Sequence, residues 1–221
     1  MKKVFLFATV LLFVNITLVN AQQQSRRFSI FADPQISWLT SDTKKFEPNG
    51  SVMGFNIGFS ADKYFGDRYA ITTGLSINNL GGNIKYKVDG TIETVDEKYS
   101  IDSGMTVKLK SQYLTVPLGL KFRTNEIGYF TFTAQVGLAG HIRLKGVVWE
   151  DTQNIDKETA TKEFSIGFAS YFIGAGAEYS LGGSSSIQVG IIYANGITQT
   201  FKTSFGKISY GSLSLRVGVV F

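Results

Sequence analysis

The nine residues Leu213-Ser214-Leu215-Arg216-Val217-Gly218-Val219-Val220-Phe221 alternate large apolar side chains with mostly small or polar ones and end on an aromatic ring. Successive side chains of a β-strand point to opposite faces of its sheet. One face of this stretch therefore carries Leu213, Leu215, Val217, Val219 and Phe221. A face so uniformly apolar is typical of a strand that meets lipid. The stretch predicts a membrane-facing β-strand.

The first residues predict export. Lys2 and Lys3 precede an apolar run from Val4 to Phe13, and Ala21 closes a small-residue cleavage site. This is the pattern of a secretory signal peptide, whereas a membrane-anchoring helix would need a longer uninterrupted apolar run. The predicted organisation is a cleaved signal peptide, residues 1–21, and one β-barrel domain, residues 22–221.

Composition narrows the classes of protein that remain. The chain has no Cys, so we expect no disulfide and look to closure of the sheet for stability. The net charge of +5 includes Lys2 and Lys3 and is dispersed, which argues against a nucleic-acid partner. No other apolar stretch is long enough for a transmembrane helix, so a membrane span must be built from strands.

Periodicity and turn residues predict eight strands with alternating connections. The predicted strands are residues 26–39, 51–63, 68–87, 107–123, 129–145, 164–181, 186–199 and 209–221. Short turns follow the second, fourth and sixth strands, and longer polar segments lie at 40–50, 88–106, 146–163 and 200–208. This asymmetry predicts an all-β fold, an eight-stranded antiparallel up-and-down transmembrane β-barrel with short periplasmic turns and long extracellular loops, in the bacterial outer membrane.

The two faces of the strands indicate which side meets lipid. The fourth strand carries Leu114, Val116, Leu118, Leu120 and Phe122 on one face. The opposite faces of the fourth and fifth strands are mostly Gly, Thr, Ala and Gln, which suit a narrow interior better than a solvated exterior. This argues against the inverted arrangement of a soluble barrel with an apolar inside.

Aromatic residues collect near the short-turn ends of the outward faces. We expect them to form a periplasmic girdle at the membrane interface. Its predicted members are Phe28, Tyr69, Phe122, Phe130, Tyr179 and Phe221.

Two segments carry a family resemblance. Tyr113-Leu114-Thr115-Val116-Pro117-Leu118-Gly119-Leu120-Lys121-Phe122 resembles the YL-x-[IV]-P-L-x-L-K strand of the PorT-like outer-membrane barrels of Bacteroidetes, and Gly174-Ala175-Gly176-Ala177-Glu178-Tyr179 resembles that family's later Gly-rich strand. The last strand also looks like the C-terminal targeting strand of outer-membrane barrels. The resemblance implies the same location and fold. Some PorT-like members serve the type IX secretion system, and no residue here marks this chain as one of them.

Charged residues on the inward faces predict an ion-pair network that fills the lumen. The expected members are Asp62, Lys121, Arg143, Glu178 and Arg216. We expect Glu178 to pair with Lys121 or Arg216, because all three lie near the periplasmic ends of their strands. Along the sixth strand Ile166 and Phe168 are out of phase with Ile173 and Tyr179, which predicts a bulge near Ser170. The network either plugs the barrel or provides a proton or ion path, and we favour the plug.

The sequence gives little support for catalysis or for metal binding. A lipid-modifying enzyme commonly needs a His beside a Ser and a carboxylate, and the single His141 is predicted to face the lumen, away from lipid. The acidic loops lack the Asp-x-Asx-x-Asx spacing of a calcium site. We expect no enzyme activity, no metal and no cofactor.

Four lysines predict a basic patch on the outer wall. Counting along the third and fourth strands places Lys85, Lys87, Lys108 and Lys110 outward, above the apolar band. We expect them to lie side by side and bind lipopolysaccharide phosphates. The alternatives are a solvated edge that prevents strand pairing and a bulge at Gly81-Gly82 that inverts the count.

The expected function is that of a plugged, non-enzymatic structural or interaction barrel. Outer-membrane lipid, lipopolysaccharide and envelope proteins are the expected partners, the proteins through loops 88–106 and 146–163, since long loops on a rigid scaffold are where binding normally resides. A secretion or assembly machinery such as type IX secretion is one such partner. The alternatives are a small-solute channel and, less favoured, an outer-membrane lipid-modifying enzyme.

Overall fold

The regular structure is entirely β-strand in the computed structural model, which describes residues 26–93, 98–150, 155–159, 164–201 and 208–221. The strands are β1 Arg26–Ser41, β2 Phe46–Pro48, β3 Ser51–Tyr64, β4 Tyr69–Tyr86, β5 Gly90–Glu93, β6 Lys98–Ile101, β7 Thr106–Arg123, β8 Phe130–Glu150, β9 Ile155–Thr159, β10 Gly167–Gly182, β11 Ser185–Gly196 and β12 Ile208–Val220. Within these ranges no helix is long and apolar enough to cross a membrane. The predicted signal peptide lies outside the described residues.

Eight of the strands close into a ring. The order is β1, β3, β4, β7, β8, β10, β11 and β12, and every neighbouring pair is antiparallel. The ring closes where β1 pairs with β12, with Ser29 opposite Val220 and Ser41 opposite Ile208. The predicted eight-stranded antiparallel barrel is confirmed, and each predicted strand overlaps an observed one.

Apolar side chains cover the outside of the ring. On β1 the outward face runs from Phe28 to Trp38, ten residue steps. That distance is roughly 33 Å along the strand and about 25 Å along the membrane normal at a strand tilt of ~40°. Most of the large exposed hydrophobic side chains lie in this band, among them Ile57, Leu118 and Leu138. The band has the height expected of the hydrocarbon core.

The predicted long loops are partly sheet. Residues 46–48 form β2, which pairs with the top of β4, and β5 and β6 form a hairpin inside the predicted loop 88–106. In the loop predicted at 146–163, β8 continues to Glu150 and pairs with β9. The segments predicted as long loops therefore include short strands. The wall continues as strands because inward residues at this end, such as Phe46 and Ile101, are apolar and bury one another in a core above the membrane band.

The sixth barrel strand carries no bulge near Ser170. The pairing of β10 with β8 is unbroken from Gly167 opposite Ile142 to Tyr179 opposite Phe130. Phe168 points inward, stacked on the His141 ring at 4.1 Å. Ile166 is exposed but precedes the strand. The predicted bulge was wrong because an inward aromatic was interpreted as a phase change.

The irregularity of the barrel lies instead between β3 and β4. Their strand pairing ends at Asn56 opposite Asn78, and the next ladder partners are Pro48 of β2 and Ile84, with Asn83 hydrogen-bonded to the backbone of Asn49 and Gly50 just before them. Seven residues, 49–55, thus oppose five residues, 79–83, so β3 bulges. By contrast, β4 keeps one register with β7 through Gly81 and Gly82, and the bulge that would have inverted the lysine count is absent there.

Side chains of β1 close the wall behind this bulge. Ser37 Oγ accepts a hydrogen bond from Gly81 N at 2.8 Å and donates one to Gly81 O at 2.9 Å. Gln35 Nε2 donates to Asn79 O at 2.9 Å. A Cβ built on Gly82 would lie 2.8 Å from the backbone N of Leu39, so β1 packs directly on β4 at this height. This contact narrows the lumen, since β1 and β4 are not neighbours in the ring.

Candidate functional site in the lumen and on the outer wall

An ion-pair network fills the periplasmic end of the lumen. Lys121 Nζ lies 2.8 Å from Asp62 Oδ2 and 2.9 Å from Glu178 Oε1. Arg27 Nη1 donates to the other oxygen of Glu178 at 2.5 Å. The Asp62 carboxylate also accepts a hydrogen bond from Thr72. Two cations therefore face two anions, and the cluster is neutral.

The barrel geometry explains why these four side chains meet. Arg27 lies opposite Asp62 on the paired strands β1 and β3. Lys121 on β7 and Glu178 on β10 reach each other across the lumen in front of β8, and both are almost fully buried. An eight-stranded interior is narrow enough for long side chains to span it. A buried charge is costly unless it is paired, which is why each member here has an opposite partner.

A second ion pair lies higher in the lumen. Arg216 Nη2 donates to Asp33 Oδ2 at 2.8 Å and its Nε donates to Oδ1 at 3.1 Å, a bidentate geometry. The guanidinium carbon also lies 3.8 Å from the centre of the Phe31 ring. The carboxylate of Asp33 accepts a further hydrogen bond from Asn56. Arg216 therefore belongs to Asp33 and not to Glu178.

Arg143 lies outside both ion-pair groups. Its Nη1 donates to the backbone carbonyl of Phe164 and, at 3.3 Å, to that of Ser165. The expectation that Arg143 would join the network was wrong because its place on β8 is near the extracellular end, far from Lys121. Among the described residues, its hydrogen-bond acceptors are backbone carbonyls that precede β10.

His141 lies in the middle of the lumen, which is polar and nearly filled. His141 is hydrogen-bonded to Thr115 Oγ1 through Nδ1 and to Ser170 Oγ through Nε2, both at 2.8 Å. Gln35 and Asn78 bond to each other nearby at 2.7 Å. These side chains surround a cavity of only about 80 Å³. The space suits a few water molecules.

An apolar cluster closes the extracellular end. Tyr113, Phe168 and Tyr210 meet edge-on or tilted, with ring centres 5.0 to 6.2 Å apart. Sixteen buried hydrophobic residues from the described ranges belong to this cluster, among them Leu39, Ile84, Val148 and Phe201. Going outward from the periplasm, the lumen therefore contains a charged layer, a polar layer and an apolar lid. Among the residues described, no group of three or more His, Asp or Glu is placed to hold a metal ion.

The four lysines of the predicted outer patch do point outward, but they lie in two groups. Lys85, Lys87 and Lys108 are exposed and Lys110 is half-buried. On one side Glu47 of β2 stands opposite Lys85, and its Oε2 lies 3.1 Å from Lys87 Nζ. The short strand β2 was not predicted, and its Glu47 gives the β4 lysines an acidic neighbour on the side away from β7.

Lys108 and Lys110 form the other group. Their Nζ atoms lie 5.9 and 5.8 Å from the centre of the Trp149 ring, within reach of a cation–π interaction. Lys110 lies above the membrane band, two outward positions beyond Leu114. Partial burial and the neighbouring Lys108 lower its pKa. The ammonium groups of Lys108 and Lys110 are therefore close enough to repel each other.

The residues of the predicted periplasmic girdle all lie exposed on the outside of the barrel. Tyr69 contacts Phe122 at 5.5 Å between ring centres, and Phe130 contacts Tyr179 at 5.1 Å. Phe28 and Phe221 exchange two backbone hydrogen bonds of 2.8 Å where the ring of strands closes. The six residues are 38 to 49% exposed.

A second group of aromatics lies at the opposite edge of the band and was not predicted. Trp38 and Tyr171 each lie 6.3 Å from Tyr193, measured between ring centres. These residues are on the outward faces of β1, β10 and β11, at the extracellular ends of their apolar runs.

Arg27 and Asp33 are two lumenal charges that were not predicted. Alternation along β1 was the available signal, because Phe28 and Ile30 point outward and their neighbours must then point inward.

Comparisons with solved structures return outer-membrane barrels at low similarity. Ail, the attachment invasion locus protein of Yersinia pestis, solved with the heparin analogue sucrose octasulfate, shares 17% identity over 90% of this chain and 100% of that chain, with a TM-score of 0.43. OprG of Pseudomonas aeruginosa shares 11% identity over 89% and 94% of the two chains, with a TM-score of 0.45. The outer membrane protease OmpT of Escherichia coli shares 6% identity over 92% and 98%, with a TM-score of 0.42. None of these likenesses bears on the task of this chain.

The family comparison is more direct. No curated protein matches the chain. Residues 20–206, most of the chain, match the model of the outer membrane protein beta-barrel domain. The apolar band, the closed ring of strands and the polar lumen are what such a domain requires. The chain belongs to the outer membrane protein beta-barrel domain family and is a small barrel protein of the outer membrane.

Proposed function

We propose that this protein is a non-enzymatic interaction barrel of the outer membrane whose lumen is closed by its own side chains. The observation that carries the proposal is the filling of the lumen in three successive layers. The ion-pair network, the polar layer around His141 and the apolar lid leave two small cavities, of about 80 and 30 Å³. A barrel filled in this way acts through its surfaces.

A small-solute channel is the main alternative. A solute would have to separate Lys121 from Glu178, and Arg216 from Asp33, in a region that excludes most water. Breaking a buried pair costs about 3–5 kcal/mol when one charge is left alone. It would also have to part the apolar lid around Tyr113 and Tyr210, both at most 2% exposed. Each layer is a barrier of its own, and the three lie in series.

Catalysis on lipid has little geometric support. The ring nitrogens of His141 face two hydroxyl groups, those of Thr115 and Ser170, inside the lumen. A His that acts as a base is usually oriented by a carboxylate and must reach its substrate. The lumenal position of His141 keeps it from the outer wall where acyl chains lie.

The extracellular extension is the surface proposed for protein partners. Loops 88–106 and 146–163 are built on β5, β6, the upper part of β8 and β9. The hydrophobic cluster beneath them buries Ile92 and Ile101 of the β5–β6 hairpin. Binding loops normally stand on a rigid scaffold of this kind.

Membership of the PorT-like barrels of Bacteroidetes is part of the proposal. Its support is the segment from Tyr113 to Phe122 and the Gly-rich segment from Gly174 to Tyr179. Because some PorT-like barrels serve type IX secretion, an envelope machinery of that kind is the proposed partner. The same reasoning includes export by a cleaved signal peptide over residues 1–21.

Planar-bilayer recording tests the closed lumen. The purified barrel should give no reproducible unitary conductance, since three layers obstruct the lumen. A variant combining Tyr113→Gly, Phe168→Gly and Tyr210→Gly removes the lid, and adding Lys121→Gly and Glu178→Gly removes the charged layer. The fivefold variant should conduct if it keeps heat-modifiable gel mobility. Conductance by the unaltered protein would contradict the proposal.

Affinity purification tests the interaction role. The tagged protein should bring down envelope proteins from native outer membranes. Replacing residues 90–101 by a Gly/Ser segment should abolish this while leaving the barrel folded, as judged by heat-modifiable mobility. A matched replacement of the periplasmic turn 124–128 should not. Co-purified secretion components would support type IX association, and capture independent of 90–101 would contradict the proposed surface.

A further inference from the structure

The bulge of β3 opens a groove on the outer wall of the barrel. A Cβ built on Gly81 would lie 3.1 Å from Lys110 Cγ and 3.3 Å from Val52 Cβ, so these two side chains face each other across a glycine of β4. The space between β3 on one side and β7 and β8 on the other measures about 430 Å³. It exists because β3 leaves the ladder at Phe55 while β4 offers little side chain at this height.

One side of the groove is cationic. Lys110 and Lys145 line it, with Trp149 above them. Lys108 joins them through Trp149, whose ring lies 5.9 Å from its Nζ and 5.8 Å from that of Lys110. Among the side chains that the structure describes, which do not include those of residues 93–98, 150–158, 160–163 and 202–207, no carboxylate forms a salt bridge with these three lysines. Like charges at one height repel unless an anion lies among them.

The other side of the groove is apolar and exposed. Met53 is 76% exposed and Phe55 is 48% exposed. Phe55 continues downward into the apolar band through Ile57 and Phe59 on the same face of β3. The groove thus has a cationic upper part and an apolar lower part that merges with the lipid-facing surface. An amphiphile with an anionic head and a hydrocarbon chain has matching chemistry.

The height of the groove on the barrel indicates which leaflet of the membrane its lipid would come from. Short turns lie at the periplasmic end of such barrels, and the groove is at the opposite end, beyond Leu114 and Ile77 on β7 and β4. Phosphate-bearing lipid of the outer leaflet is lipopolysaccharide. Lysine binds phosphate as a point charge and needs no bidentate geometry. Glu47 forms a salt bridge with Lys87 and lies opposite Lys85, so that side of the predicted patch is already partly neutralised.

We infer that this groove binds one lipopolysaccharide molecule, with a lipid A phosphate between Lys110 and Lys145 and an acyl chain along Met53 and Phe55. Lys108 adds to the local positive charge through its position beside Trp149. The site differs from the predicted patch: it gains Lys145 and the apolar wall of β3 and loses Lys85 and Lys87. It does not depend on whether the lumen conducts or on any protein partner.

The test uses the full barrel, refolded in detergent with purified bisphosphorylated lipid A and separated from free lipid by gel filtration. Lys110→Gln with Lys145→Gln removes two charges from the groove. The matched control, Lys85→Gln with Lys87→Gln, removes two charges from the same outer face outside it. Dephosphorylated lipid A keeps the acyl chains without the anion. Heat-modifiable mobility checks the fold of each variant.

The groove variant should retain at least about tenfold less lipid A than the unaltered barrel, since each lysine near an anionic surface contributes appreciably to binding. The control variant should retain as much lipid A as the unaltered barrel. Dephosphorylated lipid A should be retained equally by the unaltered barrel and by both variants. Retention by the unaltered barrel should fall as salt is raised. Equal retention by the groove variant, or an equal loss in the control, would overturn the inference.

Discussion

Lys121 Nζ donates to Glu178 Oε1 at 2.9 Å although the two residues lie on strands that do not pair, β7 and β10. The contact spans the interior in front of β8. With Arg27 and Asp62 it makes a neutral cluster in which each carboxylate contacts Lys121. Removing one member leaves a buried charge behind, so the cluster couples three parts of the ring: β7, β10 and the neighbouring strands β1 and β3.

Replacing Glu178 should destabilise the barrel strongly. Glu178→Gln leaves two buried cations, Arg27 and Lys121, and one carboxylate, that of Asp62, which contacts Lys121. Loss of one partner in a buried group of this kind costs about 3–5 kcal/mol. We expect the free energy of unfolding in detergent to fall by about 3 kcal/mol in a urea titration. Glu126→Gln, in an exposed periplasmic turn, should change it by less than about 0.5 kcal/mol.

A double variant separates the pair from a general effect of substitution. Adding Lys121→Gln to Glu178→Gln restores neutrality, leaving Arg27 and Asp62. The double variant should lose clearly less unfolding free energy than the two single variants lose in sum, because the effects of substitutions within one network are not additive. Additive losses would show that the charges act independently.

The upper ion pair should behave as a separate unit. Arg216→Gln leaves the Asp33 carboxylate, whose side chain is fully buried, without its cation, and we expect a loss of about 3 kcal/mol. Asp33→Asn in the same chain should recover part of that loss. Lys63→Gln, an exposed cation on β3, is the control. If Arg216→Gln unfolds with the unaltered midpoint, the pair contributes little.

Alternation along the strands was enough to predict the inward face of the lumenal charges, but not the partner of each. The inward position of Lys121, Glu178 and Asp62 follows from period two alone. Which of them meet depends on the stagger between strands that are not neighbours, and no local pattern encodes that stagger. Arg216 therefore seemed as good a partner for Glu178 as Lys121, and only the ring shows that it lies higher, beside Asp33.

The outer wall was harder to predict for a different reason. The groove arises from a mismatch of two residues between β3 and β4, and one lysine of the patch, Lys87, pairs with Glu47 on a strand of three residues. Both features depend on pairing partners above the membrane, where the lipid-facing alternation that guided the prediction ends. Counting along β8 from Ile142 and Leu144 places Lys145 inward, and only the bulge between β7 and β8 at Gln112 and Tyr113 turns it outward, opposite Gln112.

The contact of β1 with β4 should be sensitive to a single methyl group. In Gly82→Ala the new Cβ would lie 2.7 Å from Leu39 Cγ and 2.8 Å from Leu39 N, and the backbone atom cannot move without shifting the strand. Overpacking of this kind costs about 1–3 kcal/mol. The temperature at which the folded gel band disappears should fall. Gly140→Ala is the matched control, because nothing lies within 4 Å of its Cβ, and it should keep the unaltered temperature.

The two tryptophans should report the height of the barrel in the membrane. Trp38 lies with Tyr193 at the extracellular edge of the apolar band, whereas Trp149 lies beyond it, beside Lys108 and Lys110. In bilayers containing lipids brominated along the acyl chain, Trp149→Phe leaves Trp38, whose fluorescence should be quenched strongly by bromines near the headgroup. Trp38→Phe leaves Trp149, which should be quenched much less, because bromine quenches only at near contact. Equal quenching of the two would place Trp149 within the hydrocarbon region and move the lysine groove below the level of the lipid phosphates.

Added lipid A offers a further check in the Trp38→Phe variant, which keeps Trp149. Its phosphate should draw Lys108 and Lys110 from the indole ring and shift the emission of Trp149, while Trp38 in the other variant stays unchanged.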